Sequence, residues 1–251
     1  MNINILNLKY FLWLFGLIHV KILLKDRHNG MMGEKTMSLK KNLDVVVYEK
    51  LWEKIIRGEW ALGQFIAVDE LADEYGVSRT PVLQALRRME ANRMITITST
   101  GHHTVPTFTE KQLQDLFEMR MLLELQTIRD IKESPIPIPL TTLRDIAEKC
   151  FRYNQAGDTV RARENDLLFH TSLTEAANNT YLTDLYLRIQ GQFMVANYLI
   201  ASHTQEQERI AADDHMQILS ALETGDFEEA GKVMRAHISG ALDKLLCKIR
   251  T

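Results

Sequence analysis

Residues 68–94, VDELADEYGVSRTPVLQALRRMEANRM, leave little freedom of local structure. Leu71, Ala72 and Tyr75 form one short apolar helical face, and Gly76 then permits a tight turn. Val77 reads as an inward-packing residue and Ser78 as the N-cap of a second helix. Pro81 falls in the first turn of that helix, where a missing N–H costs nothing. Val82, Leu86 and Met89 supply its inward face. Two short helices joined through a glycine make a helix-turn-helix unit.

The flanking residues complete the pattern. DVVVYEKLWEKIIR (44–57) sets Val47, Leu51 and Ile55 on one helical stripe, broadened by Val46, Tyr48, Trp52 and Ile56. Gly58 stops that helix and Gly63 marks a turn. MITITS (94–99) alternates, Thr100-Gly101 is a turn signal, and HTVPTF (103–108) reads as a returning strand. A helix, a helix-turn-helix and a β-hairpin, in that order, predict a winged helix.

In such a unit the second helix enters the DNA major groove by its N-terminal end. Arg79 then stands where a guanidinium can grip guanine O6 and N7, while Ser78 and Thr80 can donate to phosphate. Arg87, with Arg88 and Arg93, supplies phosphate-facing charge or simply a solvated face. Gly101, His102 and His103 form the tip of the wing. The formal net charge of −3 on 251 residues argues against a non-specific DNA coat, because such binding rests on neutralising phosphates. It leaves room for a local basic patch.

From Glu110 onward the strand signals end. Periodic apolar helices are expected over about 110–132, 140–155, 158–177, 180–203, 206–223 and 226–249, broken by the proline-rich loop SPIPIP at 134–139. Asp226 and Glu229 form a D-x-x-E variant of the capping box. The fold class is therefore mainly α: an N-terminal winged helix-turn-helix with a small β-hairpin wing, plus a C-terminal all-α helical bundle. The expected limits are 38–108 for the first domain and 109–251 for the second. Residues 1–37 read as an extension. YFLWLFGLIHVKILL (10–24) carries His19 and Lys21 and is short for a spanning helix, so a start at Met31, Met32 or Met37 is the favoured reading and a membrane anchor the other. Cys150 and Cys247 have neither metal-site spacing nor a disulfide framework, which suits free thiols in a reducing cytoplasm.

The histidines carry the chemistry. His170 lies one turn after Asp166, so their side chains share a face. His215 aligns with Ala211, Ile218, Leu219 and Leu222, and His237 with Ala230, Met234, Ala241 and Leu245. One histidine on an apolar face is an ordinary core residue. Three on separate helices, one with a carboxylate at i−4, are costly to bury unpaired, and a divalent metal would satisfy all four. Three imidazoles and a carboxylate suit zinc first, with nickel, iron or manganese as further options. Spacing by itself leaves the core reading equally open.

Two resemblances cover about residues 40–250. GQFIAVDELADEYGVSRTPVLQALRRME resembles the DNA-binding domain of GntR-type bacterial transcription regulators, whose pattern contains a leucine-alanine pair, a glycine and VSRTPVREAL. This chain departs at Leu83 and Asp69, where the family commonly has arginines that contact the operator. Asp166-x-x-x-His170 with Asn178, His215 and His237 is similar to the metal-binding ligand domain of the FadR-type subfamily. Arg120 and Glu124 in FEMRMLLEL belong to the same pattern. The resemblance implies a homodimeric cytoplasmic regulator, a repressor of a catabolic operon, bound to a palindromic double-stranded DNA operator. It implies a small organic or sugar acid effector contacted by Arg120 and Asn178 beside a metal held by Asp166, His170, His215 and His237. Arg120 has an equally simple reading as a structural partner of Glu124. The alternative function is a metal-dependent hydrolase or isomerase of a small acid. Against it, no nucleophile is evident and Glu164 or Asp214 is the only spare base.

Overall fold

The computed structural model describes residues 42–200 and 205–250, so the extension at 1–37 lies outside the described residues. Contacts divide the chain into two compact units, one of residues up to Glu53 with Ile66–Met89, the other of Lys54–Phe65 with residues from Glu90 onward.

The first unit holds most of α1 (Leu43–Ile56), α2 (Val68–Tyr75) and most of α3 (Arg79–Ala91). Val47, Tyr48, Leu51 and Trp52 of α1, Leu71 and Ala72 of α2, and Val82, Ala85, Leu86 and Met89 of α3 are among its buried side chains. The turn forms as the glycine requires. Gly76 has φ +63°, its N–H donates to the Asp73 carbonyl at 3.2 Å, and the Val77 N–H donates to the Ala72 carbonyl at 3.0 Å. This pairing closes the C-terminus of α2 and releases the chain into α3.

The wing belongs to the second unit. β1 (Thr96–Ile97) and β2 (His103–Thr104) pair antiparallel, with Thr96 opposite Thr104 and Ile97 opposite His103. The ladder is shorter than the alternation in MITITS and HTVPTF suggests. Thr104 also bridges to Phe65, the Val105 N–H goes to the Gln64 carbonyl at 3.0 Å, and Gly63 donates to Val105 at 3.0 Å. Pro106 has no N–H, so the ladder cannot extend past Val105.

Six helices follow: α4 (Glu110–Glu133), α5 (Leu140–Gln155), α6 (Thr159–Ala176), α7 (Thr180–Ile200), α8 (Gln205–Thr224) and α9 (Phe227–Arg250). They fall within a residue or two of the expected spans where described. At α9 the Asp226 carboxylate accepts from the Glu229 N–H at 3.0 Å, the capping contact its spacing implied. α5 packs on α6 and α8, α4 on α6, α7 and α9, and α9 also on α7 and α8. Phe117, Phe169, Tyr186, Ile218, Leu219 and Met234 lie at the centre, each buried. Among the described residues no helix is long and apolar enough to cross a membrane.

Candidate metal centre

The bundle brings Asp166, His170, His215 and His237 together, with ligand atoms all within 4.8 Å of one another. Asp166 and His170 come from successive turns of α6, His215 from α8 and His237 from α9. His170 Nε2 stands 3.2 Å from His237 Nε2 and 3.2 Å from His215 Nε2. Asp166 Oδ1 is 3.4 Å from His215 Nε2 and 3.9 Å from His170 Nε2.

The outer nitrogens explain which atoms point inward. His170 Nδ1 lies 2.7 Å from Glu124 Oε2, and His237 Nδ1 lies 3.2 Å from Asp214 Oδ2. Since a carboxylate only accepts, each Nδ1 carries the proton in the neutral ring and each Nε2 presents a lone pair. A carboxylate behind an imidazole is how metal-binding histidines are oriented. His215 is held differently: its ring stacks on Phe169 at 4.3 Å between centroids, and its buried Nδ1 makes no hydrogen bond among the described residues.

These residues fit a divalent ion. One ring nitrogen cannot hydrogen-bond two others at once, yet His170 Nε2 faces two at 3.2 Å. Metal–nitrogen bonds of about 2.1 Å would make that spacing an angle of about 100°, within the range of tetrahedral and octahedral sites. Burial pushes the His215 and His237 pKa values down and His170 and Arg120 add to both shifts, while the Asp214 carboxylate opposes that of His237 without reversing it. Both rings are therefore neutral and ready to donate a lone pair at neutral pH.

Behind the cluster sits a buried ion pair. Arg120 Nε donates to Glu124 Oε1 at 2.7 Å, with the arginine 4% and the glutamate 1% exposed. Burial works to raise the Glu124 pKa, but His170 and Arg120 outweigh it and hold the carboxyl at about 2. Burial similarly opposes the charge on Arg120, and Glu124 overcomes it. The structural pairing of Arg120 with Glu124 is thus real, but it uses only Nε. The guanidinium lies against the Phe193 ring at 4.8 Å, and its terminal nitrogens meet no hydrogen-bond acceptor among the described residues.

Asn178 is exposed in the left-handed turn after α6, with φ 54° and its N–H on the Glu175 carbonyl at 3.0 Å. Asp214, one of the spare bases, is instead the partner of His237. Its signal in the sequence was adjacency to His215, which does not reveal that it serves a different histidine. On the DNA side, Ser78, Arg79, Thr80, Arg87, Gly101 and His102 are all exposed. Arg88 is committed within the first unit, 4.5 Å over the Tyr48 ring and 4.0 Å from Asp44.

A winged helix-turn-helix followed by an all-helical bundle is the architecture of a bacterial transcription regulator. The chain belongs to the gntR family of bacterial regulatory proteins: that family's model matches residues 43–102, and the FCD domain model matches residues 115–240. It is 24% identical to the gluconate operon transcriptional repressor of Bacillus subtilis over 72% of this chain and 75% of that one. It is 25% identical to the Uxu operon regulator of Haemophilus influenzae over 83% and 86%. The solved structure of Escherichia coli McbR/YncC superposes with a TM-score of 0.69 at 22% identity, covering 83% of this chain and 99% of that one, which shows the shared fold.

Proposed function

We propose that this regulator is a homodimeric repressor whose hold on a palindromic operator is altered by a small carboxylate bound beside a metal ion. The observation that carries the reading is the buried Arg120, tied through Nε to Glu124, the same carboxylate that backs His170 in the Asp166, His170, His215 and His237 cluster. A carboxylate matches a guanidinium fork in two parallel hydrogen bonds. Bound there, a zinc, nickel, iron or manganese ion would offer a Lewis-acid position to an effector oxygen.

The protein's own groups do the rest. Glu124 and Asp214 aim two of the imidazoles, and Phe169 backs the third. Phe193 and Glu124 fix the Arg120 plane, so a bound acid meets a preformed charge. α6 carries two of the ligands and α4 carries Arg120, so ligation pulls on helices that pack together. Effector affinity that differs between two arrangements of these helices shifts their balance and thereby DNA affinity. The gluconate operon repressor is named for a sugar acid, and such hydroxy acids are the first compounds to try. Met119 and Leu122 on α4 and Tyr181 and Leu185 on α7 are exposed apolar side chains on two mutually packed helices. They support a second copy as partner, and a two-fold dimer reads a two-fold operator. A protein acting on the chromosome works in the cytoplasm.

The test is gel retardation of the fragment upstream of the gene by metal-loaded protein, titrated with gluconate and related acids. Retardation that weakens with one acid, and that loses this response in Arg120→Met, supports the reading. Retardation indifferent to every acid would leave a DNA-binding regulator without this effector class. No retardation at low salt would remove the operator as well.

A further inference from the structure

The exposed face of α3 mixes arginine with neutral polar residues, and its neighbour on α2 is acidic. Among its outward residues are Arg79, Thr80, Gln84 and Arg87, while Leu83 is half-buried. Asp69, in the first turn of α2, places Oδ1 3.1 Å from Arg79 Nη1. Both side chains are about two-thirds exposed, at 69% and 64%. A pair this open to water adds little stability, so the fold does not explain its position. An acid at a helix N-terminus is favourable by itself, yet that would be served equally by a carboxylate turned away from Arg79.

We infer that Asp69 and Arg79 act as one composite base-reading unit, with Gln84 as the second reader in place of an arginine at position 83. The inference rests on the DNA-binding role of the family and is independent of the metal and effector. Guanine offers O6 and N7 as two acceptors on its major-groove edge. Arg79 can spend one Nη1 hydrogen on Asp69 and still present two parallel N–H groups to that edge. The carboxylate holds the fork in position, and its free oxygen accepts from the N4 amino group of a neighbouring cytosine. Gln84 follows Thr80 by four residues and precedes Arg87 by three, so these three side chains form one outward stripe. Its amide both donates and accepts, the combination that pairs with adenine N6 and N7. The glutamate of the VSRTPVREAL pattern could only accept. Asp69 also repels phosphate, which lowers affinity for every sequence and raises the contrast between right and wrong sites.

The experiment selects DNA from a randomised duplex pool with the full-length protein, its Asp69→Ala variant and its Gln84→Ala variant, and sequences the bound fractions. Expected is a wild-type motif with guanine, an adjoining cytosine and, further along the half-site, adenine. Asp69→Ala loses the cytosine and weakens guanine discrimination, while binding random-sequence DNA more tightly at low salt. Gln84→Ala loses adenine discrimination alone, by about 5- to 150-fold. Variants that return the wild-type motif overturn the assignment. So does an Asp69→Ala protein that melts at the wild-type temperature but binds no DNA, because the carboxylate would then be needed for affinity. A wild-type protein that binds DNA but enriches no motif overturns sequence reading altogether.

Discussion

Gly191 occupies the middle of α7, a 21-residue helix in which alanine would be better by about 0.8–1.0 kcal/mol on helix propensity. The packing gives the reason for the glycine. A Cβ built there would lie 1.9 Å from the Asn92 carbonyl oxygen and 3.1 Å from Met94 Cγ, whereas real Cβ atoms essentially never come within 3.0 Å of such neighbours. The contact must open by more than 1 Å, and the obstructing atom is backbone, which cannot rotate aside. Overpacking of this kind costs roughly 1–3 kcal/mol or more. An obstruction by backbone puts the cost at the top of that range, so after the propensity gain Gly191→Ala should lose about 2 kcal/mol, a fall in melting temperature of about 4–8 °C for a chain of this size. Two other helical glycines serve as controls. At Gly240 a Cβ meets nothing within 4 Å, and at Gly231 the nearest atom is Leu125 Cδ2 at 3.9 Å. Alanine at either should raise the melting temperature by about 2–4 °C. The assay is thermal unfolding followed by circular dichroism on all three variants. A Gly191→Ala protein as stable as the wild type, or a Gly240→Ala protein that falls equally, would refute the packing argument.

Three further predictions concern the cluster. Adding Zn2+ at about a hundredfold over its dissociation constant should stabilise the protein by roughly 2.7 kcal/mol, seen as a melting shift of about 5–10 °C. His215→Ala or His237→Ala should abolish it, and no shift with zinc, nickel or manganese would sink the metal reading. For the metal-free protein, the lowered pKa values of His215 and His237 fix the direction of the acid response. Below the ordinary histidine value of 6.5 the unfolded chain takes up protons that the folded chain refuses. Stability should therefore decline as pH falls from about 6.5, and urea midpoints flat between pH 7 and 5 would contradict the burial. Glu124→Gln keeps the shape but leaves the Arg120 charge without its partner, for an expected loss of about 3–5 kcal/mol by urea unfolding; a loss below about 1 kcal/mol would show that the pair is not buried as described.

The helix-turn-helix, the run of helices and the identity of the four clustered residues were legible in the sequence. They depend on local rules: glycine for the left-handed turn at Gly76, proline tolerated in a first helical turn, and a 3.6-residue period that sets His170, His215 and His237 on apolar faces. The family match extends that legibility to the class of function. Periodicity fixes which face a side chain occupies and nothing about what it meets across a helix interface. Packing decided that three Nε2 atoms converge, that Glu124 and Asp214 stand behind two of the rings, and that Arg120 pairs with Glu124 through Nε. The same geometry left Asn178 in an exposed left-handed turn just past the end of α6. It set Asp69 against Arg79, so a charge reversal in the sequence becomes a paired reading element in space. It also required Gly191, whose missing Cβ no propensity scale would favour in mid-helix. Contacts between residues tens of positions apart follow from how whole helices fill volume together, and that is a property of the tertiary structure alone.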